Sequence, residues 1–167
     1  MKTNYKENLI NIKAFIFDVD GVLTDGKLLI SETGELLRSM NVKDGFAMKY
    51  AIDKGFKIGI ISGGTNEAVK TRLSNLGIEE IHLKSHNKIV HFNDFVEKFN
   101  LNPENILVMG DDIPDIPIIR AAGIGSCPQD AVQEVKNNSD YVSQKNGGKG
   151  AVRDVIEQVM KIHKKWI

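Results

Sequence analysis

At 167 residues, and about 150 residues per domain, the chain is expected to form a single domain. Its 22 Lys+Arg balance 22 Asp+Glu, so no net charge draws it to nucleic acid or to an anionic membrane surface, and neither is expected as a partner. The 41% hydrophobic fraction suffices for a globular core, while Cys127, the single cysteine, excludes an internal disulfide and a multi-cysteine zinc site and fits a reducing compartment.

Residues 1–11 hold too few apolar side chains for a secretory signal, and no run approaches the roughly 18 apolar residues of a membrane span. A soluble, cytoplasmic protein is the expectation. Ala14-Phe15-Ile16-Phe17 then reads as a buried strand, ending in Asp18-Val19-Asp20-Gly21. Residues 27–31 and 35–40, around Glu32-Thr33-Gly34, read as a β-hairpin. A helix carrying Phe46, Met48, Ala51 and Ile52 stops at Gly55, and strand 56–61 runs into Ser62-Gly63-Gly64. Thr65 is the expected N-cap of a helix with Ala68, Val69, Leu73 and Leu76 on its apolar face and Gly77 at its end. A short strand at 81–83 precedes a helix capped by Asn87, with Phe92, Phe95 and Phe99 inward. Strand 106–109 stops at Gly110-Asp111-Asp112, and helices follow at 117–122, 131–135 and 151–162. Near-continuous apolar strands alternating with helices predict an α/β fold, a parallel sheet with helices on both faces. One domain over residues 1–167 is expected, with a hairpin flap at about 27–40 and a tail at about 145–167. Any lid must then come from the hairpin or from a neighbouring subunit.

Three strand ends carry the chemistry: Asp18 and Asp20, Ser62, and Asp111 and Asp112 with Asp115 beyond. In an open parallel sheet, ligands bind outside the carboxyl ends of the strands, so these residues are expected in one crevice. Clustered carboxylates repel one another and call for a cation; oxygen-only ligands suit Mg²⁺ better than Zn²⁺. Acidic residues, one hydroxyl and a lysine form a set for phosphate chemistry. Asp18 can attack phosphorus, and Asp20 can protonate the leaving alkoxide and then deprotonate water.

Asp18-Val19-Asp20-Gly21-Val22, Ser62, Lys88 and Gly110-Asp111-Asp112 with Asp115 resemble the four motifs of the haloacid dehalogenase superfamily of phosphatases in order and in placement. The stretch from Asp18 to Gly26, the hairpin, Asn41-Val42-Lys43-Asp44-Gly45, Lys84-Ser85-His86-Asn87-Lys88 and Gly147-Gly148-Lys149-Gly150-Ala151-Val152-Arg153 are similar to the 3-deoxy-D-manno-octulosonate 8-phosphate phosphatase family. Relatives of that family act on nonulosonate (sialic-acid type) 9-phosphates. The resemblance implies a capless Rossmann-like domain, a Mg²⁺-dependent phosphomonoesterase acting through an aspartyl-phosphate, and a homotetramer assembled partly through the hairpin. It implies Asp18 as nucleophile and Asp20 as acid/base. Asp18, the Asp20 carbonyl and Asp111 would hold the metal, with Asp112 and Asp115 behind it. Ser62, Gly63 and Lys88 would bind the phosphoryl group, and Lys43, Asp44 and Lys149 the rest of the substrate. One departure stands out: Ser62-Gly63-Gly64 replaces the Thr-Gly-Arg typical of the octulosonate enzymes, so a contact to the sugar carboxylate is missing at Gly64.

The same residues have plainer readings. Ser62 suits a turn, Lys88 a solvated first turn of a helix, Asp115 a helix N-terminus and Lys43-Asp44-Gly45 a helix start. Gly147-Gly148-Lys149-Gly150 lacks the spacing of a nucleotide P-loop. A phospho-acceptor signalling domain would use a similar acidic set, but Asp20 favours turnover over a long-lived acyl-phosphate. A non-catalytic assembly module is the third reading.

Overall fold

Residues 4–167, described in a computed structural model, open with a one-turn helix α1 (Tyr5–Asn8) that leads through a 3₁₀ turn into β1 (Ala14–Phe17). All four β1 residues are buried, as a strand covered on both faces requires. The hairpin strands β2 (Leu29–Ile30) and β3 (Leu36–Leu37) lead to α2 (Val42–Asp53). Strands and helices then alternate: β4 (Lys57–Ile61), α3 (Glu67–Ser74), β5 (Glu80–His82), α4 (Lys88–Lys98), β6 (Ile106–Met109), α5 (Ile116–Ala121), β7 (Ile124–Cys127), α6 (Gln133–Asn138), β8 (Tyr141–Val142) and α7 (Ala151–Ile162).

Six strands form one parallel sheet in the order β5-β4-β1-β6-β7-β8. β1 is central, paired with residues 57–60 on one side and 106–109 on the other. The chain steps outward from β1 through β4 to β5, then crosses back by α4 to build the other half. The strand order reverses at β1, and the crevice beyond its carboxyl end is where such a sheet accepts a ligand.

Alternation along β1 sorts the core into two layers. Phe15 and Phe17 face Met48 and Ala51 of α2, Leu73 of α3 and Val155, Ile156 and Val159 of α7. Ala14 and Ile16 face Phe92 and Phe95 of α4, Ile118 and Ile119 of α5 and Val135 of α6. The parallel sheet with helices on both faces is thus as its apolar runs predict.

Local departures have local causes. β7 and β8 are not anticipated, because Ile124-Gly125-Ser126-Cys127 is not an apolar run. Ser126 is nevertheless buried, its Oγ donating to the Val108 carbonyl at 2.8 Å, so the polar atom is satisfied inside the sheet. The cap of α3 is Asn66 rather than Thr65; the Asn66 side chain accepts the Val69 N–H, and Asn is the stronger capping residue. Asn87 precedes α4 but makes no capping bond through its side chain. The hairpin ladder is short, with Leu29 opposite Leu37 and Ile30 opposite Leu36. No helix among the described residues is long and apolar enough to cross a membrane.

α7 closes one layer by burying Val152, Val155, Ile156, Val159 and Met160 at helical spacing. Ile156 is fully buried. Ile156→Ala is expected to lower unfolding free energy by about 2–5 kcal/mol, read from urea denaturation at an unchanged m-value.

Candidate active site

The site grows from the tips of β1, β4 and β6. The Asp18 N–H donates to the Met109 carbonyl at 3.1 Å, carrying the ladder one residue past β1 and delivering its side chain at the strand end. The chain then turns sharply at Gly21 (φ +88°), where an added Cβ would sit 2.0 Å from Asp111 Oδ2. Only glycine allows both the left-handed turn and this approach to the Asp111 carboxyl. The turn is held from behind by the tail. The Gly148 N–H donates to the Val22 carbonyl at 2.9 Å, and a Cβ on Gly147 would lie 1.8 Å from the Gly21 carbonyl oxygen.

Lys88, in the first turn of α4, is only 6% exposed, and its ammonium donates to Asp18 Oδ1 at 2.9 Å and to Asp115 Oδ1 at 2.5 Å. The other Asp115 oxygen accepts the N–H groups of Asp111 (3.0 Å) and Asp112 (3.3 Å). Asp115 therefore fixes both the lysine and the loop that carries Asp111. Ser62, at the end of β4, donates its N–H to the His82 carbonyl, and its Oγ accepts the Gly64 N–H at 3.1 Å. Its hydroxyl proton has no acceptor among the described residues, so it is available to a ligand.

A cavity of about 440 Å³ opens over these groups. It collects eight of the sequence-predicted residues: Asp18, Asp20, Ser62, Gly63, Lys88, Asp111, Asp112 and Asp115. Gly64, Ser85 and His86 also line it. Lys43, Asp44 and Lys149 do not. Lys43 and Lys149 are exposed, whereas Asp44 is 1% exposed and accepts the Arg153 N–H at 2.8 Å, joining α2 to the start of α7.

Carboxylates crowded at low exposure resist ionisation. Burial, then the charge of Asp115, raise the Asp18 pKa to about 6 against the opposing pull of Lys88. Burial, then the charges of Asp18, Asp115 and Asp112, raise Asp111 to about 8. Burial works against the Lys88 charge, but Asp18 and Asp115 outweigh it and hold its pKa above the ordinary lysine value. Oxygens of Asp18, Asp111 and Asp115 lie within 4.8 Å of one another. Asp115 already accepts from Lys88 and two N–H groups, whereas no described residue donates a hydrogen bond to the Asp111 side chain. Asp18 and Asp111 are therefore the carboxylates left to face a cation, and an oxygen-only pair fits Mg²⁺.

One residue of the site is absent from the sequence-level reading. Arg38, just beyond β3, forms a two-pronged ion pair with Asp20: Nε donates to Oδ1 at 2.7 Å and Nη2 to Oδ2 at 3.0 Å. Its third nitrogen, Nη1, donates to the Leu36 carbonyl at 2.9 Å. An arginine within an exposed hairpin carries no spacing signal toward a residue 18 positions earlier.

The fold and the strand-tip carboxylates define a class, and the model of haloacid dehalogenase-like hydrolases matches residues 65–156. The chain belongs to this hydrolase family. It is 36% identical over 150 residues to the 3-deoxy-D-manno-octulosonate 8-phosphate phosphatase KdsC of Escherichia coli strain K12, covering 90% of this chain and 80% of that protein. The structure of the 3-deoxy-D-manno-octulosonate 8-phosphate phosphatase from Moraxella catarrhalis, in complex with magnesium ion, phosphate ion and KDO, is similar with a TM-score of 0.90 at 31% identity, covering 93% of this chain and 90% of that one. The cobalt-bound octulosonate 8-phosphate phosphatase (YrbI) of Haemophilus influenzae gives a TM-score of 0.90 at 34% identity, covering 94% and 92%.

The raised carboxyls have a sign that can be measured. With folded pKa values of about 6 and about 8 against an ordinary 3.8, the native chain holds more protons than the unfolded chain between these limits, so stability falls as pH rises. Metal-free protein is expected to melt at a lower temperature near pH 8 than near pH 5, and Asp111→Asn to lose much of that slope. Melts of both proteins in chelator check this; identical slopes would assign the pH dependence to other groups. Adding Mg²⁺ in excess should flatten the wild-type slope, since the cation favours the ionised form.

Proposed function

We propose that the protein is a Mg²⁺-dependent phosphatase that hydrolyses the acidic sugar phosphate 3-deoxy-D-manno-octulosonate 8-phosphate to the free sugar acid and inorganic phosphate, through an aspartyl-phosphate. The observation that carries this reading is the buried Lys88 ammonium bridging Asp18 and Asp115 on the floor of the cavity, beside a Ser62 hydroxyl with a proton to donate. The similarity to phosphatases of this substrate over nine-tenths of the chain supports it.

In this mechanism Ser62, Gly63 and Lys88 hold the phosphoryl oxygens while an Asp18 oxygen attacks phosphorus in line with the sugar oxygen. The bond from phosphorus to the sugar oxygen breaks, its electron pair leaves with that oxygen, and Asp20 supplies the proton. Water then attacks the aspartyl-phosphate, gives its proton to Asp20, and the bond to Asp18 breaks to release phosphate. Asp18, the Asp20 carbonyl and Asp111 would hold Mg²⁺, whose positive charge shields the phosphoryl group from the attacking carboxylate. Asp112 and Asp115 act behind them, Asp115 through Lys88 and the N–H groups of Asp111 and Asp112. Lys43 and Lys149, exposed outside the cavity of one protomer, are assigned to substrate contact only in an assembly, whereas the buried Asp44 is left to brace α2 against the start of α7.

A nonulosonate 9-phosphate is the second substrate reading. Gly64 lines the cavity and carries no side chain, which leaves room for a longer sugar acid. Relative kcat/KM on the two substrates decides between them.

Phosphate release from octulosonate 8-phosphate is expected to fall by about 10⁴-fold or more in Asp18→Asn. Asp20→Asn is expected to lose about 10²–10⁴-fold on that alkyl phosphate and less on p-nitrophenyl phosphate, whose leaving group needs no proton. Retained turnover in Asp18→Asn would remove the nucleophile assignment.

The reading includes one catalytic domain acting in the cytoplasm as a homotetramer, with the hairpin as flap and contact surface. Leu29 and Ile30 are 69% and 70% exposed, and Leu28, Leu36 and Leu37 on the same hairpin are also exposed. A patch of this kind marks a protein contact. Sedimentation velocity is expected to give a tetramer, and Leu29→Asp with Ile30→Asp a smaller species; a monomeric wild type would refute the assembly.

A further inference from the structure

The proposed acid/base, Asp20, needs an oxygen facing the leaving group, yet both of its oxygens are engaged by Arg38, at 2.7 and 3.0 Å. The pair as found is therefore not the reacting arrangement. Something must draw the guanidinium away, at least from one oxygen. A guanidinium held by one carboxylate is best displaced toward another, because the same planar fork matches both.

The surroundings point to where that second carboxylate comes from. Apart from His86, Lys88 is the single basic side chain among the described residues lining the cavity, and it is already tied to Asp18 and Asp115. Five aspartates line the same space, so an acidic sugar entering it would meet repulsion unless a further cation is supplied. Arg38 is adjacent. A Cβ built on Gly64 would lie 3.5 Å from Arg38 Nη2 and 3.4 Å from Asp20 Oδ2, and Gly64 itself lines the cavity. Residue 64 thus places no side chain between the guanidinium and the cavity. Its root is the end of a hairpin with two ladder pairs, and Nη1 is held by that hairpin's own Leu36 carbonyl. A movement of the hairpin would carry the whole fork, giving up the bond from Asn66 Nδ2 to the Leu36 carbonyl.

We propose that Arg38 is the specificity-determining residue for an acidic substrate: it occupies Asp20 in the substrate-free protein and exchanges that carboxylate for the carboxylate of the sugar, which frees Asp20 to face the leaving oxygen. The inference rests on the phosphatase reading and adds the residue that couples recognition of the acid group to release of the acid/base.

The test compares kcat/KM for octulosonate 8-phosphate, glucose 6-phosphate and p-nitrophenyl phosphate in wild type, Arg38→Gln and Arg38→Lys. Loss of one charge-assisted pair is worth about 10–100-fold. Arg38→Gln is expected to lower the ratio of acidic-sugar to neutral-sugar kcat/KM by that factor, and Arg38→Lys to restore part of it by keeping the charge without the fork. An equal loss on all three substrates, or an unchanged ratio, overturns the role of Arg38 while leaving the phosphatase reading in place. If the wild-type protein releases phosphate from none of the three, the phosphatase reading itself falls, and this inference with it.

Discussion

Everything at the sheet's carboxyl edge depends on one buried ammonium. Asp18 and Asp115 are both nearly inaccessible to solvent, and two carboxylates in such a place repel each other and lose their hydration. Lys88 reaches both oxygens from the first turn of α4 and makes the pair tolerable. Removing one partner of a buried charge cluster leaves the others uncompensated, which is why such clusters are costly to break even where they add little net stability. Here the residual imbalance is the useful part. One lysine does not neutralise Asp18, Asp111 and Asp115 together, and burial first, then the neighbouring carboxylates, raise the Asp18 and Asp111 carboxyls, which a cation would favour in their ionised form.

The parallel sheet makes that cluster possible. Strands β1, β4 and β6 run the same way, so their carboxyl ends share one edge, and residues 18, 62 and 111 meet although they are far apart in the chain. The crossover through α4 adds the lysine from a helix start that faces the same edge. The Gly147-Gly148 loop then braces the 18–24 turn from outside, its missing side chains allowing backbone to lie on backbone. The glycine-rich stretch, which lacks the spacing of a nucleotide P-loop, is thus explained by packing against the turn that carries the acidic residues.

How much of this was legible follows from where the information sits. Strand tips were readable because a buried apolar run followed by Asp, Ser or Asp-Asp is a local pattern, and local patterns survive folding. Lys88 was readable only by resemblance, since a lysine in a first helical turn has no local sign of burial. Arg38 was not readable at all: its partner lies across a hairpin whose exposed leucines dominate the pattern. β7 was missed because Gly125 and Ser126 dilute its apolar run, and the bond from Ser126 Oγ to the Val108 carbonyl, which makes that serine acceptable inside a sheet, is a tertiary fact. Asp44 shows the reverse case. Its neighbourhood invites a ligand role, but the side chain is buried against the start of α7, where it accepts the Arg153 N–H.

The two aspartates of the first loop show how two positions in one short motif come to differ. Asp18 continues the β1 ladder and is held at depth, facing Lys88; Asp20 lies at the rim, where its side chain is 36% exposed and faces Arg38. In the proposed mechanism the carboxylate held beside the buried lysine is the one that meets phosphorus, and the more exposed one meets the departing oxygen. The partners differ in the same sense. Lys88 is anchored in a helix that packs through Phe92 and Phe95 into the core, so its geometry is as rigid as the sheet. Arg38 follows two strands of two residues each, joined to the body where Asn66 Nδ2 donates to the Leu36 carbonyl at 3.1 Å. In the proposed mechanism a partner set in the core suits the group that must be aligned before reaction, and one borne on a short hairpin suits the group whose availability depends on what has bound. If Arg38 acts as proposed, that division, between a lysine set by the core and an arginine set by a hairpin, puts selectivity in the part of the molecule least committed to the fold.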